Sequence, residues 1–375
     1  MKYYIIAGEA SGDLYGANLI REIKKLDSNA EIRAWGGDLI SKEEVTIVKH
    51  YKNHNYMGFL EVFLNLNTIL RNIKFCKYDI EKFKPDALIL IDFPGFNMRI
   101  AKHFHKSKFP ILYYIAPQAW AWKEKRVVDI KKYVTALYCI LPFEKDFFAK
   151  HRIIAEYNGH PLLEHINNFK KTTKISKKEF FNKNRLNNKN PIISLIPGSR
   201  KQEIIKKLPI MMEACSNFLS SYNIVIAGMN SLKNLYQPYL QKSGISIVYD
   251  DTYNLLNHST YALVTSGTAT LETAFFNIPQ VVAYKTSWIS YKIAKSFIKV
   301  KYISLVNLIL NKPIVKELIQ SDLNIKNLTK ELINLKNEKI HDQIKLEYSN
   351  LHSICRGKEV SKKIAIHMLK TINNN

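Results

Sequence analysis

The chain has 375 residues, of which 46% are hydrophobic and 23% charged, a composition typical of folded globular proteins and a length that favours two domains. Its four cysteines, Cys76, Cys139, Cys215 and Cys355, lack paired spacing, which excludes a disulfide framework and a cysteine zinc site and favours a reducing compartment. The net charge of +24 is unusual, and it predicts either anionic partners or a compositional bias.

Three explanations of this charge stay open. Nucleic-acid binding is one, although the sequence contains no RRM, KH or zinc-finger pattern. An anionic membrane surface or an anionic substrate is the second, and drift toward Lys, Asn and Ile at solvated positions is the third. The N-terminus leads straight into a predicted strand, and no run reaches the ~18 apolar residues of a spanning helix, so we expect a cytoplasmic protein.

Apolar runs alternate with segments of helical spacing, which predicts parallel α/β domains. Strands are predicted at 3–7, 31–35, 87–91, 110–115, 136–141, 153–157, 192–196, 223–227, 245–249, 261–265 and 280–284. A polar linker region at 167–190 separates an N-terminal domain, 1–166, from a C-terminal domain, 191–345, and helices at 346–375 are expected to pack back on the first domain. The predicted fold is therefore two doubly wound, Rossmann-like domains facing a cleft, with C-terminal helices.

The first predicted strand ends at a glycine-rich turn, residues 8–13. Ligands of open parallel sheets bind at the carboxyl ends of strands, so this turn is a candidate part of the site. Its two carboxylates, Glu9 and Asp13, disfavour a phosphate loop and favour the acceptor side of a site. Asp13 could alternatively cap the following helix.

The segment 56–73 is apolar on more than one face. A helix packed on both sides would have this pattern, and so would an acyl-chain groove or a patch facing a membrane. The candidate lipid contacts in this segment are Met57, Phe59, Leu60 and Phe63.

The apolar strand at 87–91 ends at Asp92, which begins the turn 92–97. A carboxylate at the carboxyl end of a buried strand is well placed to act as a general base. Asp92 could instead bond the N–H groups of its own turn. The other candidates for the base are Glu9, Asp13 and His160.

In the second predicted domain, the strand at 192–196 ends at a turn that contains Ser199 and Arg200. Ser199 could cap the helix that follows, and Arg200 would then be placed to bind a phosphate through its planar guanidinium. A surface arginine beside a capped helix is the alternative explanation.

A second turn, formed by Ser266, Gly267 and Thr268, joins a strand to a helix whose free N–H groups favour an anion. Glu272 lies outside the capping-box positions for this helix start, which makes it a candidate acceptor for two ribose hydroxyls. A solvated helix charge is the alternative for Glu272.

The sequence contains no dinucleotide fingerprint and no P-loop, and Asp250-Asp251 is an adjacent pair rather than Asp-x-Asp. We therefore expect no cofactor and no metal. The charge of a leaving diphosphate would instead be met by helix N–H groups and Arg200. Further along, the segment 285–302 carries lysines on one side and apolar residues on another, which predicts a helix lying on an anionic bilayer or a half-buried surface helix.

Seven short motifs occur in order over nearly the whole chain and together resemble those of lipid-A-disaccharide synthase. They lie at 8–13, 92–97, 117–122, 142–144, 159–161, 197–200 and 266–272. The resemblance implies a glycosyltransferase fold of the B type. It also implies inverting transfer of 2,3-diacylglucosamine from its UDP derivative to 2,3-diacylglucosamine 1-phosphate, which gives a β-1,6-linked disaccharide and UDP.

The resemblance also assigns roles to residues. In such enzymes the residue matching Asp92 is the base, and those matching Arg200, Glu272 and Asn307 serve the donor. At the donor-side asparagine the family usually has the sequence Leu-Pro-Asn, whereas this chain has Val306 directly before Asn307.

Two other functions compete with this prediction. A UDP-sugar epimerase of the same fold would use one substrate and would leave the segments 56–73 and 285–302 without a task. A basic nucleic-acid-associated protein would leave Asp92, Arg200 and Glu272 as coincidences. We therefore expect an enzyme at the inner face of the inner membrane, attached peripherally through anionic lipid, without nucleic acid and with a homodimer left open.

Overall fold

The computed structural model describes residues 1–53, 65–122, 124–172, 175–240, 244–288, 291 and 300–374. These residues form two compact units. The first unit contains the chain up to Glu164 and again from Cys355 onward, and the second contains described residues between His165 and Ile354.

The first unit is built on a seven-stranded parallel sheet with the order β3-β2-β1-β4-β5-β6-β7. The strands are β1 Lys2–Ala7, β2 Glu31–Gly36, β3 Thr46–His50, β4 Ala87–Ile91, β5 Ile111–Tyr114, β6 Ala136–Tyr138 and β7 Ala155–Glu156. The helices are α1 Ala10–Leu26, α2 Asp38–Ser41, α3 Leu66–Phe83, α4 Pro94–Phe104, α5 Ala119–Trp122, α6 Arg126–Tyr133, α7 Glu144–Lys150 and α8 Pro161–Thr172, the last of which runs on into the second unit.

The centre of this sheet is buried on both faces. Every residue of β4 is fully buried, as is the run Tyr3–Ile6 of β1, because helices cover both sides of a doubly wound sheet. The strands pair in parallel with Ala7 opposite Ile91, so their carboxyl ends lie side by side. The turns that follow β1 and β4 are therefore neighbours.

The second unit has a six-stranded parallel sheet with the order β10-β9-β8-β11-β12-β13. Its strands are β8 Ile192–Ile196, β9 Asn223–Gly228, β10 Ile245–Tyr249, β11 Tyr261–Thr265, β12 Gln280–Tyr284 and β13 Lys316–Ile319. Its helices are α9 Lys177–Lys183, α10 Lys201–Ala214, α11 Thr252–His258, α12 Thr268–Phe275, α13 Leu305–Leu310, α14 Ile325–Asn334 and α15 Glu338–Cys355, with short 3₁₀ turns at Ser216–Phe218, Asn230–Leu235 and Gln237–Tyr239. β8 pairs with β11, and Ile196 lies opposite Val264, which again places two turns together.

The last helix, α16 Val360–Asn373, belongs to the first unit and packs against α1. The chain re-enters that unit where the backbones of Gly159 and Gly357 come into close contact. A Cβ added to either glycine would overlap backbone atoms of the other segment. The backbone N–H of His160 donates to the carbonyl oxygen of Cys355 at 2.9 Å, and the Ser361 hydroxyl donates to Glu164 at 2.7 Å. These contacts fasten the C-terminal helix to the first unit.

The predicted fold class is confirmed: both units are parallel α/β structures, and all eleven predicted strands are present with small shifts at their ends. The stretch 167–190, predicted as a short helix plus linker, contains the end of α8 and all of α9, and Phe180 and Phe181 are buried. The part of the chain that the structure describes has two further strands, β3 and β13, that the apolar pattern did not predict. Within the described residues, no helix is both long enough and apolar enough to cross a bilayer.

Candidate active site

The backbone of Asp92 is fixed by two buried side chains. The Asn97 Nδ2 donates to the carbonyl oxygens of Asp92 and Ile91, at 2.8 and 3.2 Å. The Tyr113 hydroxyl donates to the same Asp92 carbonyl at 2.6 Å. Because Asn97 and Tyr113 are fully buried, Asp92 is held firmly at the carboxyl edge of the sheet.

Asp92 and Phe93 are both in the left-handed region, with φ of +46° and +49°. Such a conformation costs a non-glycine residue about 1–3 kcal/mol, and it persists where the surroundings over-determine it, often at functional sites. The neighbouring turn supplies part of the constraint. A Cβ added at Gly8 would overlap the Phe93 ring, so glycine at position 8 allows the turns after β1 and β4 to pack together.

The half-buried carboxyl group of Asp92 is less acidic than an ordinary aspartate. Loss of solvent raises its pKa to about 6, although the N–H of Phe93 and the positive charge of Arg126 favour the ionised form. A carboxylate with a pKa near neutrality is both available and basic enough to accept a proton.

A second carboxyl group, that of Glu144, is buried, and its charge interacts with that of Asp92. Its Oε1 accepts from the Trp120 indole N–H at 3.0 Å, and its Oε2 accepts from the backbone N–H groups of Ile140 and Leu141, at 3.2 and 3.0 Å. Burial raises the pKa of Glu144 to about 7, and the charge of Asp92 acts in the same direction. Glu144 thus joins the motif at 117–122 to the one at 142–144, the turns after β5 and β6.

Sequence reasoning missed Glu144, Asn97, Tyr113 and Arg126 as members of this cluster. The motif at 142–144 ends at Glu144, but the resemblance assigned no role to that residue. An available signal was the position of Glu144, an acid a few residues past an apolar strand. Trp120 donates its indole N–H to Glu144 and makes an edge contact with Phe143, with ring centroids 4.8 Å apart.

The two acids of the first turn have different environments. Glu9 is the residue before α1, partly exposed, and its carbonyl accepts the N–H of Asp13. The Asp13 side chain is buried, with both oxygens bonded to the next helix start, and its predicted catalytic role stays a prediction. Asp13 accepts from the N–H groups of Gly37, Leu39 and Ile40 at 2.6, 2.9 and 3.1 Å, and so caps α2 rather than its own helix.

His160, the remaining candidate for the base, is also buried. Its Nδ1 accepts from the N–H of Leu162 at 3.2 Å, and burial lowers its pKa to about 3. The imidazole is therefore neutral at physiological pH and bonded to the start of α8.

In the second unit, the turn after β8 differs in detail from the prediction. Arg200, not Ser199, is the residue that precedes α10, and Gly198 adopts a φ of +114°, which favours glycine. The Arg200 guanidinium is partly exposed, and its Nη1 lies 3.8 Å from Glu203 Oε1. Arg200 therefore stands at a helix start, where an anion is favoured.

The neighbouring turn leads into α12, whose preceding residue is Gly267 with a φ of +136°. The Ser266 hydroxyl donates to the carbonyl of Ile303 at 2.8 Å, and Thr268 is the first helical residue. The Thr265 hydroxyl donates to the Pro197 carbonyl at 3.0 Å, which ties this turn to the one before Arg200. The structure thus brings together the two turns predicted to serve the donor.

Glu272 lies one turn into α12 and accepts a hydrogen bond from the Tyr253 hydroxyl at 3.1 Å. Desolvation raises its pKa, so this acid is not an ordinary solvated helix charge. Asn307 is fully buried in α13. Its Nδ2 donates to the Val315 carbonyl and to the Glu317 carboxylate, and its Oδ1 accepts from the Val315 N–H. These internal bonds give Asn307 a structural task, and its predicted contact with the donor stays a prediction.

The candidate lipid contacts Met57, Phe59, Leu60 and Phe63 lie outside the described residues, as does much of the segment 285–302. Among the described residues, no group of three or more His, Cys, Asp or Glu side chains is arranged to hold a metal ion.

Comparison with known proteins gives the same family across the chain. The model of the lipid-A-disaccharide synthetase family matches residues 3–368. A lipid-A-disaccharide synthase of Solibacter usitatus is 31% identical over 337 residues, which cover 89% of this chain and 87% of that protein. One of Idiomarina loihiensis is 32% identical over 359 residues, or 94% of this chain and 93% of that protein.

Among solved structures, UDP-GlcNAc 2-epimerase from Neisseria meningitidis superposes with a TM-score of 0.66 at 13% identity and covers 100% of both chains. At that identity the likeness shows the fold alone, two Rossmann-like domains of the B-type glycosyltransferase kind. The family match and the relatives carry the assignment: the chain belongs to the lipid-A-disaccharide synthetase family, glycosyltransferases of lipid A biosynthesis.

Proposed function

We propose that this chain transfers 2,3-diacylglucosamine from its UDP derivative to 2,3-diacylglucosamine 1-phosphate, with Asp92 as the general base. The products are the β-1,6-linked disaccharide 1-phosphate and UDP. The observation that carries the proposal is Asp92 itself: Asn97 and Tyr113 fix its backbone carbonyl, and the pKa of its carboxyl group is raised to about 6.

In the proposed reaction, Asp92 accepts the proton of the acceptor 6-hydroxyl as its oxygen attacks the anomeric carbon. The bond from that carbon to the diphosphate oxygen breaks on the opposite face, so the configuration inverts and no covalent enzyme intermediate forms. A positioned general base contributes about 10²–10⁴-fold to such a step. Glu9, partly exposed at the start of α1, is proposed to face the acceptor sugar.

On the donor side, we place the departing diphosphate at the starts of α10 and α12, where Arg200 and the N–H groups near Gly267 meet its charge. Glu272 is proposed to accept from the ribose hydroxyls, with Ser266 and Thr268 shaping the turn. These groups are fixed before the reaction, so they stabilise the developing charge without reorganising.

The test is an assay of UDP release with and without the lipid acceptor. Asp92→Asn should lose about 10²–10⁴-fold in kcat while it binds UDP normally, because the change removes the base and keeps the shape. The matched control is Asp146→Asn, an exposed acid in the first turn of α7 of the same unit. Near-native turnover by Asp92→Asn would remove Asp92 from the role.

A UDP-sugar epimerase is the second candidate, because the Neisseria meningitidis enzyme shows that the same fold also serves that reaction. The same assay separates the two functions. Release of UDP that depends on the acceptor supports the transferase, whereas conversion of a UDP-sugar with no acceptor supports the epimerase.

We further propose that the protein works in the cytoplasm, in peripheral contact with anionic lipid of the inner membrane, and that it can form a homodimer. The net charge of +24 and the acylated substrates support the membrane contact. Analytical ultracentrifugation would decide the oligomeric state.

A further inference from the structure

A buried lysine lies beside the turn that we assign to the donor diphosphate. Lys207 is on the inner face of α10, with 2% of its surface exposed. Its Nζ lies 3.9 Å from Glu203 Oε1, and the same oxygen lies 3.8 Å from Nη1 of Arg200. One carboxylate therefore stands between two cations, of which one is buried and the other is partly exposed.

Glu203 is part of the turn itself. It is the third residue of α10, and its side chain folds back over Gly198, where an added Cβ would overlap the carboxylate. A carboxylate at this place competes with an incoming phosphate for Arg200, because both are anions that favour the same guanidinium.

The burial of the Lys207 ammonium is unfavourable by itself. Removing an ammonium from water costs free energy unless it is paired, and here burial lowers the pKa of Lys207 to about 8. Among the described residues, Glu203 is the one carboxylate within 4.0 Å of it. The neighbouring positions on this helix face are apolar, namely Ile204, Leu208 and Met211.

We propose that Lys207 is a positioning residue that holds the Glu203 carboxylate and so leaves Arg200 able to bind the donor diphosphate. When Arg200 turns to the phosphate, Lys207 keeps Glu203 neutralised, so the carboxylate does not draw the guanidinium back. The inference rests on the proposed function, because it takes the diphosphate of UDP as the ligand of Arg200.

The test measures binding of UDP and of uridine to the full chain by titration calorimetry. Lys207→Met should weaken UDP binding about fivefold, because Arg200 must then break its ion pair with Glu203, and a partly exposed ion pair contributes about that much. Uridine binding should stay unchanged. The matched control is Lys206→Met, the adjacent and more exposed lysine of the same helix, which should change neither affinity.

A second change separates this arrangement from a general effect of charge or folding. Lys207→Met combined with Glu203→Gln should restore UDP affinity to within about twofold of the wild type, because the competing anion is gone. Glu203→Gln alone should bind UDP at least as tightly as the wild type. Circular dichroism would show that each variant is folded.

Three results would overturn the inference. They are unchanged UDP affinity in Lys207→Met, failure of the double variant to recover, and weaker UDP binding in Glu203→Gln. These measurements need no transfer reaction, so absence of acceptor-dependent UDP release with normal UDP binding would count against the proposed reaction alone.

Discussion

At the scale of single residues, the most informative position is Asp92. A left-handed aspartate followed by a left-handed phenylalanine is an unfavourable pair, and the structure holds it with two buried donors, Asn97 and Tyr113. The same burial makes the carboxyl group a stronger base. Local strain and raised basicity therefore have one origin, the enclosure of the turn after β4.

The raised pKa of Asp92 predicts the pH dependence of the reaction. A general base must be ionised, so kcat/KM should fall about tenfold per pH unit below about pH 6, rather than below the pH near 4 expected of a solvated aspartate. UDP release measured from pH 4.5 to 9 would show this limb.

Two neighbouring groups serve as controls for the assignment. Glu144, with a pKa near 7, is largely protonated in the pH range of this limb, so Glu144→Gln should leave the limb where it is. His160, with a pKa near 3, is neutral across the range and should contribute no limb. Activity that stays level from pH 7 to pH 5 in the wild type would exclude Asp92 as the titrating base.

At the scale of elements, both candidate sites are made by turns that follow neighbouring parallel strands. In the first unit β1 and β4 align their ends, and in the second unit β8 and β11 do the same. The turns are further tied by contacts across them: Gly8 against the Phe93 ring, and the hydroxyl of Thr265 on the carbonyl of Pro197. The sheets thus fix where the chemistry can occur.

Asp13 shows how one turn supports another element. Because three N–H groups of the α2 start depend on its carboxylate, Asp13→Asn should lower the free energy of unfolding of the first unit by about 2–4 kcal/mol. Urea unfolding followed by circular dichroism would measure the loss, with Asp146→Asn as the exposed control. If the two variants unfolded at the same urea concentration, the Asp13 cap would contribute nothing measurable to the free energy of unfolding.

The elements also show what could be predicted from the sequence. The eleven predicted strands were found because buried parallel strands are continuous apolar runs, as at 87–91. The edge strands β3 and β13 were missed since they carry charges, among them Lys49 and Glu317, and pair on one side only. Glu144 was missed because its partner Trp120 is brought to it by folding. Lys207 was missed although Glu203 lies four residues before it, because the burial of Lys207 comes from the packing of the helix and not from local spacing.

At the scale of the molecule, the outstanding property is the net charge of +24. Coulombic attraction to an anionic surface is long-ranged and falls as salt shortens the Debye length to about 3 Å at 1 M. Apolar contact with lipid is much less sensitive to salt. The two contributions to the proposed membrane contact can therefore be measured separately.

Flotation with vesicles makes this a prediction. The protein should float with vesicles that contain anionic lipid at low salt, and the bound fraction should fall severalfold at about 1 M salt. Vesicles of neutral lipid at both salt concentrations are the control, and they report any apolar contribution. If the protein failed to float with either kind of vesicle at low salt, peripheral attachment would be disproved.

The contact between α1 and α16 has a consequence for how the protein is made. α1 leaves the ribosome before the second unit is made and α16 leaves after it, yet the two helices pack against each other in the first unit. The N-terminal sheet can thus begin to form early, while the face of α1 that α16 covers stays exposed through synthesis of the entire second unit. The first unit is therefore completed only after the second unit has been synthesised, and a nascent chain stalled before Val360 would present an apolar surface for chaperones to bind.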